Sequence, residues 1–157
     1  MKLVVAPDDA LRKKCRPVKA FDSSLRELVD GMLDVMYTHG GVGIAAPQVG
    51  SDLRVIVVDP SAGDVATECL VMINPVLVHT ASSTFYMVEE IEGCLSLPGQ
   101  HFKVERCEVA KVRWQILDGQ YVVETFSKLP ARIVQHELQH LDGILLSDIG
   151  SRATLRE

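Results

Sequence analysis

The chain has 157 residues, 47% of them hydrophobic and 24% charged, with 16 Lys and Arg against 21 Asp and Glu for a formal net charge of −5. This is the composition of a globular protein long enough to bury a core without disulfides, and it excludes disorder over most of the length. Basic residues scattered among acidic ones leave no electropositive stripe to track a phosphate backbone, so no direct nucleic-acid ligand is expected. One domain over residues 1–157 is expected.

No apolar stretch approaches the roughly 18 residues of a bilayer span. The longest, residues 55–58 and 69–73, are strand-sized. Residues 1–7 lack the apolar core of a signal peptide and the Arg-rich pattern of a transit peptide, so a cytoplasmic protein without a membrane partner is expected. Cys15, Cys69, Cys94 and Cys107 share no CxxC spacing and are too few for a disulfide framework, which makes them thiols.

In chain order, residues 7–12 read as a turn entering a short segment. Phe21-Asp22-Ser23-Ser24 offers N-cap residues, and Ser24 and Glu27 have the spacing of a capping box. Leu25, Leu28, Met32, Leu33 and Met36 then recur at helical spacing, which predicts an amphipathic helix over 24–39 that stops before Gly40-Gly41. Val- and Ile-rich runs follow at 53–59, 70–79, 85–91, 103–117 and 120–126 and predict strands. Asp118-Gly119 predicts a tight two-residue hairpin turn. A second helix is predicted over 128–141, with Ser127 as N-cap, Pro130 in the first turn and Leu129, Ile133, Leu138 and Leu141 as apolar contacts. Helix, strands, helix is the order of an α+β domain whose last helix is buried against the sheet.

His136-Glu137-Leu138-Gln139-His140 is an HExxH sequence on that helix. Imidazoles at i and i+4 share one face and can bind one metal ion. Glu137 leaves the helix about 100° from His136, a direction suited to taking a proton from activated water rather than to ligation. Peptidases built on HExxH add a downstream His or Glu, yet after His140 there is no His and only Glu157 as a glutamate. Among other candidate ligands is Cys94 in Glu92-Gly93-Cys94-Leu95-Ser96-Leu97-Pro98-Gly99, a tightly turned segment at a strand end; a buried, inert thiol is the competing reading. In Gly41-Val42-Gly43-Ile44-Ala45-Ala46-Pro47-Gln48, small residues let backbone approach a ligand and Gln48 supplies an amide donor, although a glycine pair after a helix also serves as a C-cap. Its spacing is not that of a phosphate loop.

Together these segments resemble the signature motifs of the peptide deformylases, GxGLAAxQ, EGCLS and QHExDHLxG, standing here at residues 41–48, 92–96 and 135–143. The opening of the chain, residues 7–12 and 16–18, is similar as well, so the resemblance covers about residues 3–146. Two positions depart from the pattern: Gln139 stands where Asp is usual, and Ile44 where Leu is usual. The chain ends 14 residues after Gly143, whereas typical bacterial members continue into a long helix implicated in ribosome association. Short-tailed members, phage-encoded ones among them, are more similar, so ribosome docking through that helix is not implied.

The resemblance implies an α+β fold with mixed or antiparallel sheets around a central HExxH-bearing helix and an N-terminal amphipathic helix. It implies hydrolysis of the N-formyl group from the formylmethionine of newly synthesised polypeptides, with release of formate. Cys94, His136 and His140 are then the metal ligands and Glu137 the proton acceptor and donor. The Gln48 amide and the Leu95 backbone N–H meet the oxyanion. Gly43 receives the substrate main chain, and Val42, Leu129, Ile133 and the stem of Arg132 form an apolar pocket for methionine. Fe(II) is the expected ion in the cell, although Zn(II), Ni(II) and Co(II) suit the same donors. A monomer is expected. Two other readings share part of the pattern: a metallopeptidase cleaving internal peptide bonds, and a metal-binding module without turnover.

Overall fold

The computed structural model describes residues 1–61, 69–78 and 86–154. His79, Phe85 and Glu157, which the sequence places in two β-runs and the tail, lie outside the described residues.

Helix α1 (Ser23–Thr38) starts where the Asp22 carboxylate accepts hydrogen bonds from the N–H groups of Ser24 and Leu25. The expected Ser24–Glu27 box does not form the cap, because the Ser24 hydroxyl itself donates to Asp22 at 2.6 Å. A carboxylate is the stronger acceptor for orphaned helix N–H groups. The buried stripe Leu25, Leu28, Val29, Met32, Val35 and Met36 packs on Ile44, Val55, Val57 and Ile73.

The described strands are β1 (Gly43–Ala45), β2 (Val55–Val58), β3 (Leu70–Leu77), β4 (Met87–Gly93), β5 (His101–Cys107), β6 (Val109–Gln115), β7 (Tyr121–Ser127) and β8 (Ser151–Ala153). Helix α2 (Lys128–His140) follows β7, and a single turn, α3 (Leu146–Ile149), precedes β8. Five strands form one antiparallel sheet in the order β1-β2-β3-β6-β7, and three form another in the order β4-β5-β8. The architecture is α+β, as the element order predicts.

Strand β2 is apolar at every position because both faces of the sheet are covered. Val55 and Val57 face α1, while Ile56 and Val58 join Met72, Val112, Trp114 and Phe126 under Ala131, Ile133, Val134 and Leu138 of α2. Each of the larger side chains so buried contributes about 1.5–3 kcal/mol. The expected strand over 103–117 is two strands in different sheets. Between them the Glu108 N–H donates to Tyr86 O and its carbonyl accepts from Lys128 N–H, so this residue serves one sheet on each side and the chain bends there. The hairpin loop has three residues rather than two. Ile116 pairs with Gln120, and Gly119, at φ 86, takes the left-handed position that closes a bulged turn.

In α2, Ser127 occupies the N-cap position without a side-chain cap bond. Leu129 is 50% exposed and so is not a core contact; it lies at the rim of the cavity described below. Gln135 bridges α2 to β5, its Oε1 accepting from Cys107 N–H and its Nε2 donating to Cys107 O. Gly143 follows at φ 74, and a Cβ there would strike the Arg12 carbonyl, which fixes how the N-terminal segment crosses the end of α2.

Candidate active site

Helix α2 carries His136 and His140 on one face with ring centroids 5.1 Å apart. After β4 the chain turns tightly, Leu97 N–H donating to Cys94 O, and this turn brings Cys94 Sγ to 3.3 Å from His140 Nε2. One ligating atom from each of Cys94, His136 and His140 lies within 4.8 Å of the other two. Tetrahedral ligands at about 2.0–2.3 Å from an ion stand roughly 3.5 Å apart, so a small contraction of the trio accommodates one. A soft sulfur with two imidazoles suits a divalent transition ion. His136 Nδ1 is 2.9 Å from Glu92 Oε2, which leaves its Nε2 for ligation. His140 Nδ1 is buried with no hydrogen-bond partner among the described residues.

Glu92 is the centre of a buried charge network that the sequence reading missed. Arg106 donates to both its oxygens, at 2.6 and 2.8 Å, and Arg132 Nη1 donates at 2.6 Å. Burial alone would raise this carboxyl, but the hydrogen bonds from His136 and Arg106 outweigh it and hold it at about 2. Arg132 lines the cavity as expected, yet its guanidinium is not free at the rim. It is committed to Glu92, to Glu90 and to the carbonyls of Val88 and Val104. The signal available in sequence was a Glu just past one strand-forming run and an Arg inside another, which carries meaning only once both are known to be buried.

Glu137 is buried beside the trio, and a Cβ on Gly43 would lie 2.6 Å from its Oε1. Burial pushes its carboxyl up to about 7, against the opposing attraction of His136 and Arg106. Burial also lowers His136, but hydrogen bonds to Cys94 and Glu92 reverse the effect and raise it to about 10. A cation ligated through His136 must displace its proton. His140 is kept neutral by burial and by the charges of His136 and Arg106.

These groups open into a cavity of about 750 Å³. Of the residues singled out in sequence, Val42, Gly43, Gln48, Cys94, Leu95, Leu129, Arg132, Ile133, His136 and Glu137 all line it; His140 alone stands behind the wall. The N-terminal residues Leu3 and Val5 line it too, which no sequence signal suggested. Strands β1 and β4, each at the edge of its sheet, contribute wall residues.

The profile of the polypeptide deformylase family matches residues 1–154. This chain belongs to that family. A peptide deformylase of Acidobacterium capsulatum is 42% identical over 143 residues, covering 91% of this chain and 82% of the relative. One from Thermotoga neapolitana is 41% identical over 141 residues, covering 90% and 81%. The crystal structure of a peptide deformylase from Synechococcus elongatus in complex with actinonin superposes with a TM-score of 0.89 at 37% identity, covering 95% of this chain and 79% of that one.

Within this deformylase fold the unusual Gln139 has a partner. Its Oε1 accepts from Arg106 Nη1 at 2.9 Å, so a neutral amide oxygen joins the Glu92–Arg106 network from this position. The four cysteines are free thiols, and burial raises Cys15 to about 11, which keeps it an inert core residue. Among the described residues no helix is long and apolar enough to cross a membrane.

Proposed function

We propose that this chain is a metal-dependent amide hydrolase that removes the formyl group from the N-terminal formylmethionine of nascent polypeptides, the whole chain serving as one catalytic domain. The observation that carries this reading is the convergence of Cys94, His136 and His140 beside the buried Glu137, at a cavity that Gln48 also reaches. Cys94, His136 and His140 would hold one divalent ion, which when bound acidifies water and polarises a carbonyl.

Glu137 accepts a proton from the attacking water and returns it to the leaving nitrogen as the formyl C–N bond breaks, so formate and a free amine depart. A carboxyl near neutrality suits both transfers. Charge developing on the formyl oxygen is met by the Gln48 amide and the Leu95 backbone N–H. The edge strands β1 and β4 offer main-chain groups to an extended peptide, which supports weak sequence preference beyond the first residue. Val42, Ile133, Leu129 and the alkyl stem of Arg132 supply apolar surface for the methionine side chain.

In the cell the ion is Fe(II), with zinc, nickel or cobalt replacing it in purified protein. Anaerobically purified protein that is fully active with zinc alone would overturn the iron assignment. The proposed enzyme acts in the cytoplasm as a monomer. Metal-loaded protein mixed with a formyl-Met peptide is expected to release formate. Cleavage of internal peptide bonds instead would establish a metallopeptidase, and tight metal binding without formate would establish a binding module.

A further inference from the structure

Ser96 follows the candidate metal ligand by two residues and is fully buried, as is Gln48. The Ser96 hydroxyl donates to the Val4 carbonyl at 2.7 Å. A carbonyl can only accept, so the single hydroxyl hydrogen is committed there and Ser96 has only lone pairs left to offer. Gln48 Nε2 donates to that oxygen at 3.1 Å. At the other end of the same amide, Gln48 Oε1 accepts the Ala45 N–H at 2.8 Å. Turning the amide over would set oxygen against oxygen at Ser96 and N–H against N–H at Ala45, so its orientation is determined from both sides. The second Nε2 hydrogen points to the metal-ligand side, Nε2 donating weakly to Cys94 Sγ at 3.8 Å.

The anchor of this chain of bonds is the N-terminal segment. Val4 N–H donates to Gln48 O at 2.8 Å and Ala6 N–H to Ser96 O at 2.9 Å, so residues 4 and 6 join the main chains of two motifs that are 48 residues apart. We infer that Ser96 is a positioning residue which, braced against the Val4 carbonyl, holds the Gln48 amide with its second N–H on the Cys94 side, where it meets the substrate oxyanion. The inference rests on the reading of Gln48 as an oxyanion donor. It gives the N-terminal segment a part in the reaction although no group in that segment has reactive chemistry.

The test is a double-mutant cycle on the full-length, metal-loaded protein, with kcat and KM measured on a formyl-Met peptide and metal content measured on each variant. Gln48→Ala is expected to lower kcat by about 10²–10³. Ser96→Ala is expected to lower kcat by about tenfold or more, with KM and metal content unchanged, because the donor is still present but loosely aimed. Ser96→Thr, which keeps the hydroxyl, is expected to recover most of the rate. Ser96→Cys, close in volume with a weak donor, serves as a second variant and should lose rate in the same direction. On the Gln48→Ala background, Ser96→Ala should cost less than twofold. A Ser96→Ala effect of undiminished size on that background overturns the inference while leaving Gln48 in its role. A Ser96→Thr variant no faster than Ser96→Ala, or a rate loss matched by loss of metal, also overturns it. Wild-type kcat in Gln48→Ala alone would remove the donor reading itself.

Discussion

An alanine at Gly43 would place its Cβ 2.6 Å from Glu137 Oε1 and 2.6 Å from Ile133 Cγ2, where ordinary contact begins near 3.4 Å. Gly43 lies in β1, so the obstacle is space rather than backbone conformation. The Glu137 carboxylate must retreat by roughly 0.8 Å or the strand must shift by as much, in a close-packed wall. A misplacement of about 1 Å in a catalytic group costs on the order of 10² in rate, and overpacking of this kind costs about 1–3 kcal/mol of stability. Gly43→Ala is therefore expected to keep its metal, melt a few degrees lower and release formate about 10²-fold more slowly. The assay is formate release under saturating formyl-Met peptide, with metal content and melting temperature measured on the same sample. Adding Ile133→Ala removes one of the two collisions but leaves the one with Glu137, so stability should recover in part while the rate does not. Gly43→Ala within twofold of wild-type kcat, fully metallated, would refute the argument that this glycine exists to make room for the base.

Glu137→Ala should retain metal and lose about 10²–10⁴ in rate, whereas Cys94→Ala should lose metal first; the opposite pattern in a paired metal and rate measurement would mean the roles are crossed. Glu92→Gln removes the charged partner of His136 and is expected to weaken metal binding about 10–100-fold in a chelator competition, with unchanged affinity counting against the network. Because Glu137 must be ionised to accept a proton and its carboxyl is raised to about 7, kcat/KM should fall as pH drops through that region. A bound cation would shift this limb toward lower pH, and a rate that rises on acidification contradicts the assignment.

The helices and most strands were legible because periodicity and chain breakers are local: α1 differs from its expected span by one residue at each end and α2 by one at its C-terminal end. The β5–β6 boundary was not, since Glu108 has no breaker chemistry and the change of sheet depends on where Tyr86 and Lys128 lie. In the site, HExxH marked two candidate ligands and a candidate base because helix geometry alone aligns them. Cys94 was a candidate ligand from its turned segment, but only the company of the other motifs favoured it over an inert thiol. The partners of Glu92, Arg106 and Ser96 stayed hidden, although Glu92 and Ser96 stand in a signature motif, because those partners lie between 14 and 92 residues away and nothing in the local pattern marks a charge or hydroxyl as buried. Arg132 looked like a snorkelling side chain for the same reason. Its distance from Glu92 is a tertiary fact.

The central claim is that one sulfur and two imidazole nitrogens share a single divalent ion. X-ray absorption on protein loaded with one equivalent of zinc tests it most directly. The account predicts one sulfur at about 2.3 Å and two nitrogens at about 2.0–2.1 Å in the ion's coordination sphere, with the sulfur signal lost in Cys94→Ala. A sphere of nitrogen and oxygen only in the wild-type protein would contradict it.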